Sequence, residues 1–326
     1  MSSIFIFPGQ GSQSVGMGKE FYDNHPAARA VFDEVDDALA LQVQGAESRK
    51  LSDIIFNGPI EELTMTANVQ PAIFATSMAM LRVWMEKNQI SVLSSQISAF
   101  VAGHSLGEYT ALCAAGALTL SDTARLLRLR GDAMQRAVPV GMGAMAVIMG
   151  LTVEQVREIC ANAEQENTPN HESRITNQDY NVADVANDNA PGQVVISGGE
   201  STILRAMEMA RDAGAKRAML LPLSVPPHSR LMEPVAIEMR GALNKIEMKT
   251  PSIPFISNKT AAIMTDVDDI KDALVYQITH GVRWRETILG LPALGVTETV
   301  EVGPGNVLTG LTQRIVPELG ARKLEV

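Results

Sequence analysis

The chain has 326 residues, 46% of them apolar and 20% charged, and carries a formal net charge of −10. That composition belongs to a globular protein of one large domain, or a large domain with a smaller one, and excludes a disordered chain. The acidic balance argues against nucleic acid as a partner, and an anionic substrate or acidic protein would need a local basic patch. Cys113 and Cys160 are too few for a disulfide framework and lack metal-ligand spacing, so a reducing, cytoplasmic setting without a metal is expected. The opening MSSIFIFPGQ has no basic region, and no signal peptide is expected there. The longest apolar run, 144–151, is too short to span a membrane, so no membrane role is expected.

Residues 3–7 read as a first strand, followed at once by PGQGSQ at 8–13. Proline and two glycines there suit a tight loop that presents N–H groups to a ligand. A helix is expected near 17–22. Over 27–41, Ala30, Val31, Val35, Ala38 and Leu39 recur at helical spacing. The polar stretch 42–50 reads as a surface loop. Residues 66–71 then introduce a long apolar helix over 72–85, with Pro71 at its start, where proline is tolerated. Its methionines read as core filler.

The stretch 97–118 holds the strongest chemical signal. A buried strand over 97–102 and an alanine-rich helix over 106–118 flank Gly103-His104-Ser105-Leu106-Gly107. This G-x-S-x-G on a strand-to-helix turn is the pattern of a nucleophile elbow. Its serine backbone is strained, and glycines two positions away remove clashing Cβ atoms. The helix N-terminus beyond it turns free N–H groups toward charge that develops in acyl transfer.

Ser121-Asp122-Thr123 reads as the cap of a further helix that carries Arg125, Arg128 and Arg130. Arginines on a helix usually form a solvated face. Arg130, however, lies three or four residues from Leu126, Leu127 and Met134 and shares their apolar face. From Gly143 the order changes to strands over 144–149, 181–186, 193–197 and 217–222, with helices over 152–163 and 201–213. That βαββαβ order is the ferredoxin-like pattern. The polar segment 164–179 reads as a surface insertion within it. Lys216 and Arg217 form a local basic pair in an acidic chain, suited to docking an acidic partner or simply solvated.

Five histidines occur. His25 and His171 sit in polar sequence and are expected in solvent, while His104 precedes the serine in a sharp turn and is expected to point away from it. His228 and His280 remain as candidates for a general base. The double proline Pro226-Pro227 holds His228 rigidly, whereas His280 reads as a helix end beside Gly281. The remainder supplies a strand over 253–257, a helix over 270–278 and a strand over 299–302. A Gly-Pro-Gly turn then leads into a final helix.

In their order along the chain these pieces resemble the malonyl-coenzyme A:acyl carrier protein transacylases of bacterial type II fatty acid synthesis. The resemblance rests on FPGQGSQ (7–13), QPA (70–72), GHSLGEY (103–109), RGDAMQ (130–135), NDNAPGQVVISG (187–198), AKRA (215–218), SVPPH (224–228) and EVGPG (301–305). It implies an α/β fold: an α/β-hydrolase-like catalytic domain over 1–139 and 223–326, with a ferredoxin-like subdomain inserted over 140–222. It also implies transfer of a malonyl group from malonyl-CoA to the phosphopantetheine thiol of acyl carrier protein. The route would be ping-pong through a malonyl-serine, with no metal or bound organic cofactor. A monomer is expected.

By resemblance, Ser105 is the nucleophile and His228 its base, oriented by the backbone carbonyl of Gln277. The oxyanion hole is formed by the backbone N–H groups of Gln10 and Leu106. Arg130 pairs with the malonyl carboxylate, and Asn187 and Asn189 line the same cleft. Three rivals share parts of the pattern: a serine esterase, a binding subunit that has lost the chemistry, and a related acyltransferase of polyketide or malonate metabolism. Esterases usually place the histidine near the chain end after an acidic residue. No histidine follows Gly281 here. An inert subunit would have lost Ser105 or His228, and both are present.

Overall fold

A computed structural model of the chain describes residues 2–40, 49–94, 96–165, 180–223 and 225–326. Its strands are β1 (Ser3–Phe7), β2 (Phe100–Gly103), β3 (Gly143–Met149), β4 (Ala183–Ala190), β5 (Gln193–Gly199), β6 (Arg217–Leu220), β7 (Phe255–Ile256), β8 (Ile263–Met264), β9 (Glu298–Glu301) and β10 (Gly320–Lys323). They form a six-stranded sheet ordered β10-β9-β1-β2-β7-β8 and a four-stranded sheet ordered β4-β5-β3-β6. The result is a mixed α/β fold with two sheets.

The large sheet is parallel except for β8 at its edge. Parallel strands buried on both faces need a continuous apolar run rather than alternation, and β1 supplies Ile4, Phe5, Ile6 and Phe7, all buried. Phe5 and Phe7 join the core on one side of the sheet, Ile4 and Ile6 the core on the other. In the antiparallel small sheet, Ala144, Ala146 and Ile148 pack with residues of the helices Val153–Gln165 and Glu200–Asp212. Met145 and Val195 form a separate apolar cluster with Ala186.

Several boundaries differ from expectation for local reasons. The helix expected over 72–85 runs Thr66–Lys87, so Pro71 lies inside it rather than in its first turn. Nearly every residue from Thr66 to Met85 is buried, and tertiary packing outweighs the lost proline N–H. The next helix, Leu120–Ala137, is capped by Thr119 and not by 121–123. The Thr119 hydroxyl accepts from the Asp122 N–H at 3.0 Å, while Ser121 donates instead to Glu34. The strand expected to reach 222 ends at Leu220, short of Pro222, which has no N–H for a ladder. β4 continues to Ala190 through a polar stretch that does not read as a strand, with bulges at Val185/Asn187 and Asp188/Ala190. β8 and β10 were not expected, since neither carries an apolar alternation. The loop expected at 42–50 (apart from Arg49 and Lys50), the insertion beyond Gln165, and His171 lie outside the described residues.

Candidate active site

β2 ends at Gly103 and the helix Gly107–Ala114 begins two residues after Ser105. Ser105 itself has φ +53°, the left-handed region that a serine enters only under constraint. The constraint is visible in both glycines. A Cβ on Gly103 would lie 1.9 Å from the Gly107 carbonyl carbon, and one on Gly107 would lie 2.2 Å from the Phe7 carbonyl oxygen. Strand and helix therefore approach too closely for any side chain at either position.

His228 reaches the serine from 123 residues further along the chain. It follows the double proline, has φ +60°, and its backbone N–H donates to the Ile278 carbonyl at 3.0 Å. Its Nε2 lies 2.8 Å from Ser105 Oγ and its Nδ1 2.5 Å from the Gln277 carbonyl oxygen. A carbonyl only accepts, so Nδ1 carries the proton and Nε2 is left to accept from the serine hydroxyl. Burial, reinforced by the Arg130 charge, lowers the His228 pKa to about 3, which keeps the imidazole neutral.

Arg130 is 2% exposed and points into the same place. Its Nη1 donates to Gln70 Oε1 at 2.7 Å, and its Nη2 donates to Gln277 Oε1 at 3.1 Å and to Ser105 Oγ at 3.2 Å. Its Nε is buried with no hydrogen-bond partner among the described residues. Neither the Gln10 nor the Leu106 backbone N–H donates to an acceptor among the described residues. A cavity of about 150 Å³ is lined by Gln10, Ser105, Leu106, Arg130, Asn187 and Asn189, among others. Asn187 and Asn189, two residues apart on β4, both line it beside the register shifts of that strand.

The structure thus gathers most of the expected residues in one cavity and leaves others out. His104, expected to turn away from the serine, lines that cavity too, its Nε2 2.8 Å from Asn189 Oδ1. His280 is exposed and stacked on Tyr276 at 3.7 Å between ring centroids. His25 is half-buried against Phe21 rather than fully in solvent. Lys216 and Arg217 are exposed beside β3, away from the cavity lining.

Sequence reasoning missed three buried polar side chains: Glu108, Asn258 and the side chain of Gln277. Asn258 Oδ1 accepts from the Ser105 N–H at 2.9 Å, and its Nδ2 donates to the Gly103 carbonyl at 2.7 Å. Glu108 accepts from the Asn258 N–H at 2.6 Å and from Gln277 Nε2 at 2.5 Å. Glu108 had a usable signal, being the one carboxylate in the apolar elbow helix. Asn258 had none, since it sits in an ordinary loop.

The acyl transferase domain model matches residues 4–319. The malonyl CoA-acyl carrier protein transacylase of Bacillus subtilis (strain 168) is 44% identical over 316 residues, covering 97% of this chain and 91% of the relative. That of Escherichia coli (strain K12) is 40% identical over 320 residues, covering 98% and 94%. Among solved structures, the acyl-carrier-protein-S-malonyltransferase of Bartonella henselae superimposes with TM-score 0.90 at 47% identity, covering 100% of this chain and 96% of that one. A malonyl-transacylase solved in complex with its type II PKS acyl-carrier protein gives 0.88 at 38% identity, covering 99% and 96%. With the model spanning almost the whole chain and close relatives matched along nearly their full length, the chain belongs to the acyl transferase family, among its malonyl CoA-acyl carrier protein transacylases.

Proposed function

We propose that the chain transfers a malonyl group from malonyl-CoA to the phosphopantetheine thiol of an acyl carrier protein, with Ser105 as nucleophile and His228 as base. The observation that carries this reading is the buried Arg130 guanidinium 3.2 Å from Ser105 Oγ. A cation that close to the nucleophile suits a short acyl group ending in a free carboxylate. An esterase of neutral substrates has no use for it.

The chemistry follows from the geometry. Ser105 gives its proton to His228 Nε2 and attacks the thioester carbonyl, and the oxyanion is received by the Gln10 and Leu106 N–H groups. The carbon–sulfur bond breaks, CoA leaves with the proton from His228, and a malonyl ester remains on Ser105. The carrier thiol then gives its proton to His228 and attacks the ester. Collapse returns that proton to Ser105 and releases the malonyl thioester. Arg130 holds the carboxylate through both halves, with Asn187 and Asn189 on the facing wall. Lys216 and Arg217 dock the acidic carrier.

The fold supports a two-part architecture: an α/β-hydrolase-like catalytic domain over 1–139 and 223–326, and a ferredoxin-like subdomain over 140–222. The second part rests on the βαββαβ succession and the antiparallel order β4-β5-β3-β6. No helix among the described residues is long and apolar enough to cross a membrane, and the work is assigned to the cytoplasm.

The test is intact-protein mass after mixing with malonyl-CoA. One malonyl group should appear on the wild type, leave on addition of phosphopantetheinylated carrier protein, and be absent from Ser105→Ala. An adduct on Ser105→Ala, or one that water removes as fast as carrier does, would defeat the reading.

A further inference from the structure

Beneath the serine and the arginine lies a polar network that the reaction as written does not use. Glu108, Asn258 and Gln277 are each 0–1% exposed. Asn258 satisfies both backbone groups flanking the strained turn, accepting from the Ser105 N–H and donating to the Gly103 carbonyl. Gln277 spans the other direction: its Oε1 accepts from Arg130 Nη2, and its Nε2 donates to the Ser105 carbonyl at 3.1 Å. Glu108 joins the two branches, one carboxylate oxygen on the Asn258 N–H and the other on Gln277 Nε2.

We propose that Glu108 is a positioning residue that holds the nucleophile and the carboxylate-binding arginine in one register, through Asn258 toward Ser105 and through Gln277 toward Arg130. The inference rests on the roles given above to Ser105 and Arg130. Its physical basis is that a left-handed serine is costly and persists only where the surroundings over-determine it. Asn258 supplies part of that constraint with two hydrogen bonds to the backbone entering Ser105, and Gln277 holds the carbonyl that leaves it. A guanidinium fork works only if held in place, and Gln277 ties it to the same anchor. Both bonds that Glu108 makes to these branches come from donors. A glutamine at 108 would turn its own NH₂ against one of them, while keeping the shape. Burial raises the Glu108 carboxyl pKa, while the Asn258 N–H, the Gln277 amide and the Arg130 charge each favour the ionised form. A carboxyl kept there at that cost is unlike ordinary core filling.

The experiment compares two readouts. One is the rate at which a carboxylate-free fluorophosphonate labels Ser105, which senses the nucleophile alone. The other is kcat/KM for malonyl-CoA, which senses nucleophile and arginine together. Asn258→Ala should lower both by the same factor, about 5- to 150-fold for a buried bond lost. Glu108→Gln should lower labelling and lower malonyl transfer by about a further 5-fold, because the Gln277 branch also loosens. The double variant should label no more slowly than the worse single one, as expected of residues on one path. The isosteric Glu108→Gln guards against simple unfolding, and a general loosening would move both readouts together. Wild-type labelling by Asn258→Ala, an unchanged ratio of the two readouts in Glu108→Gln, or multiplying effects in the double variant would each overturn the proposal. If Ser105→Ala is also labelled, the nucleophile assignment fails instead.

Discussion

The two walls of the cavity are built on different principles. On the large-sheet side, Ser105, Arg130, Gln277, Glu108, Asn258 and His228 bond to one another, and all but the serine are at most 3% exposed. On the small-sheet side, Asn187 and Asn189 come from an irregular strand joined to the large part by the Asn187–Val282 bridge, the His104–Asn189 hydrogen bond and the Arg285–Asp188 and Arg230–Asp184 ion pairs. In the proposed reaction charge moves and is stabilised on the first wall, whose groups are fixed beforehand, and the second wall shapes the cleft. Substitutions on the first wall should therefore change chemistry by orders of magnitude, and those on the small sheet by much less.

The largest effect is expected at His228. His228→Ala should slow loading of Ser105 from malonyl-CoA by about 10²–10⁴-fold, the range for a lost general base. Because the imidazole pKa is lowered to about 3, wild-type loading should show no falling limb near pH 6.5. The same shift predicts a stability slope. Between the ordinary histidine pKa of 6.5 and about 3, the unfolded chain binds a proton at this site and the folded one does not. Stability therefore falls as pH falls through that window, and His228→Gln should flatten the slope. Thermal melts from pH 7 to 4 check this, with an equally steep slope in the variant as the contrary result.

Next comes Arg130. A hydrogen bond to a charged group contributes about 1.5–3 kcal/mol, so Arg130→Ala should cost roughly 10- to 150-fold in kcat/KM for malonyl-CoA. Acetyl-CoA has no carboxylate, and for it an arginine whose Nε lacks a partner offers nothing. Transfer from acetyl-CoA should persist or rise. Arg130→Lys should not restore malonyl transfer, since an ammonium cannot form the planar fork. A parallel fall for both thioesters would make Arg130 structural and blur the contrast between the walls.

The two walls were also unequally legible in the sequence. The first announced itself: G-x-S-x-G with its flanking elements, a histidine behind two prolines, and an arginine on an apolar face are local patterns. The partners that hold them are not local. Asn258 and Gln277 lie 153 and 172 residues from Ser105 and meet it only through the parallel sheet and the helix Val267–Thr279. No spacing rule reaches that far. In the small sheet, the βαββαβ order was legible from the succession of apolar segments, while the bulged continuation of β4 was not. Asn187-Asp188-Asn189 has the composition of a turn, and only pairing with β5 makes it strand.

The smallest effect is expected where the small sheet ends. Lys216 and Arg217 are exposed at β6, an edge strand, and neither pairs with a carboxylate among the described residues. Such charges have a structural use of their own, since lysine and arginine on an edge discourage pairing with another chain. Docking and edge protection differ in what they predict. If the pair meets an acidic carrier, Lys216→Glu with Arg217→Glu should weaken the second half-reaction by several-fold at low salt. The loss should shrink as the ionic strength rises toward 1 M, where screening falls to about 3 Å. Loading from malonyl-CoA, which takes place on the other wall, should be unchanged. If the charges only protect the edge, both half-reactions survive the reversal, because glutamate also blocks an edge. Stopped-flow loading and carrier transfer, each measured at two salt concentrations, separate the outcomes. Equal damage to both halves would mean that the small sheet supports the chemistry and does not merely carry a docking face.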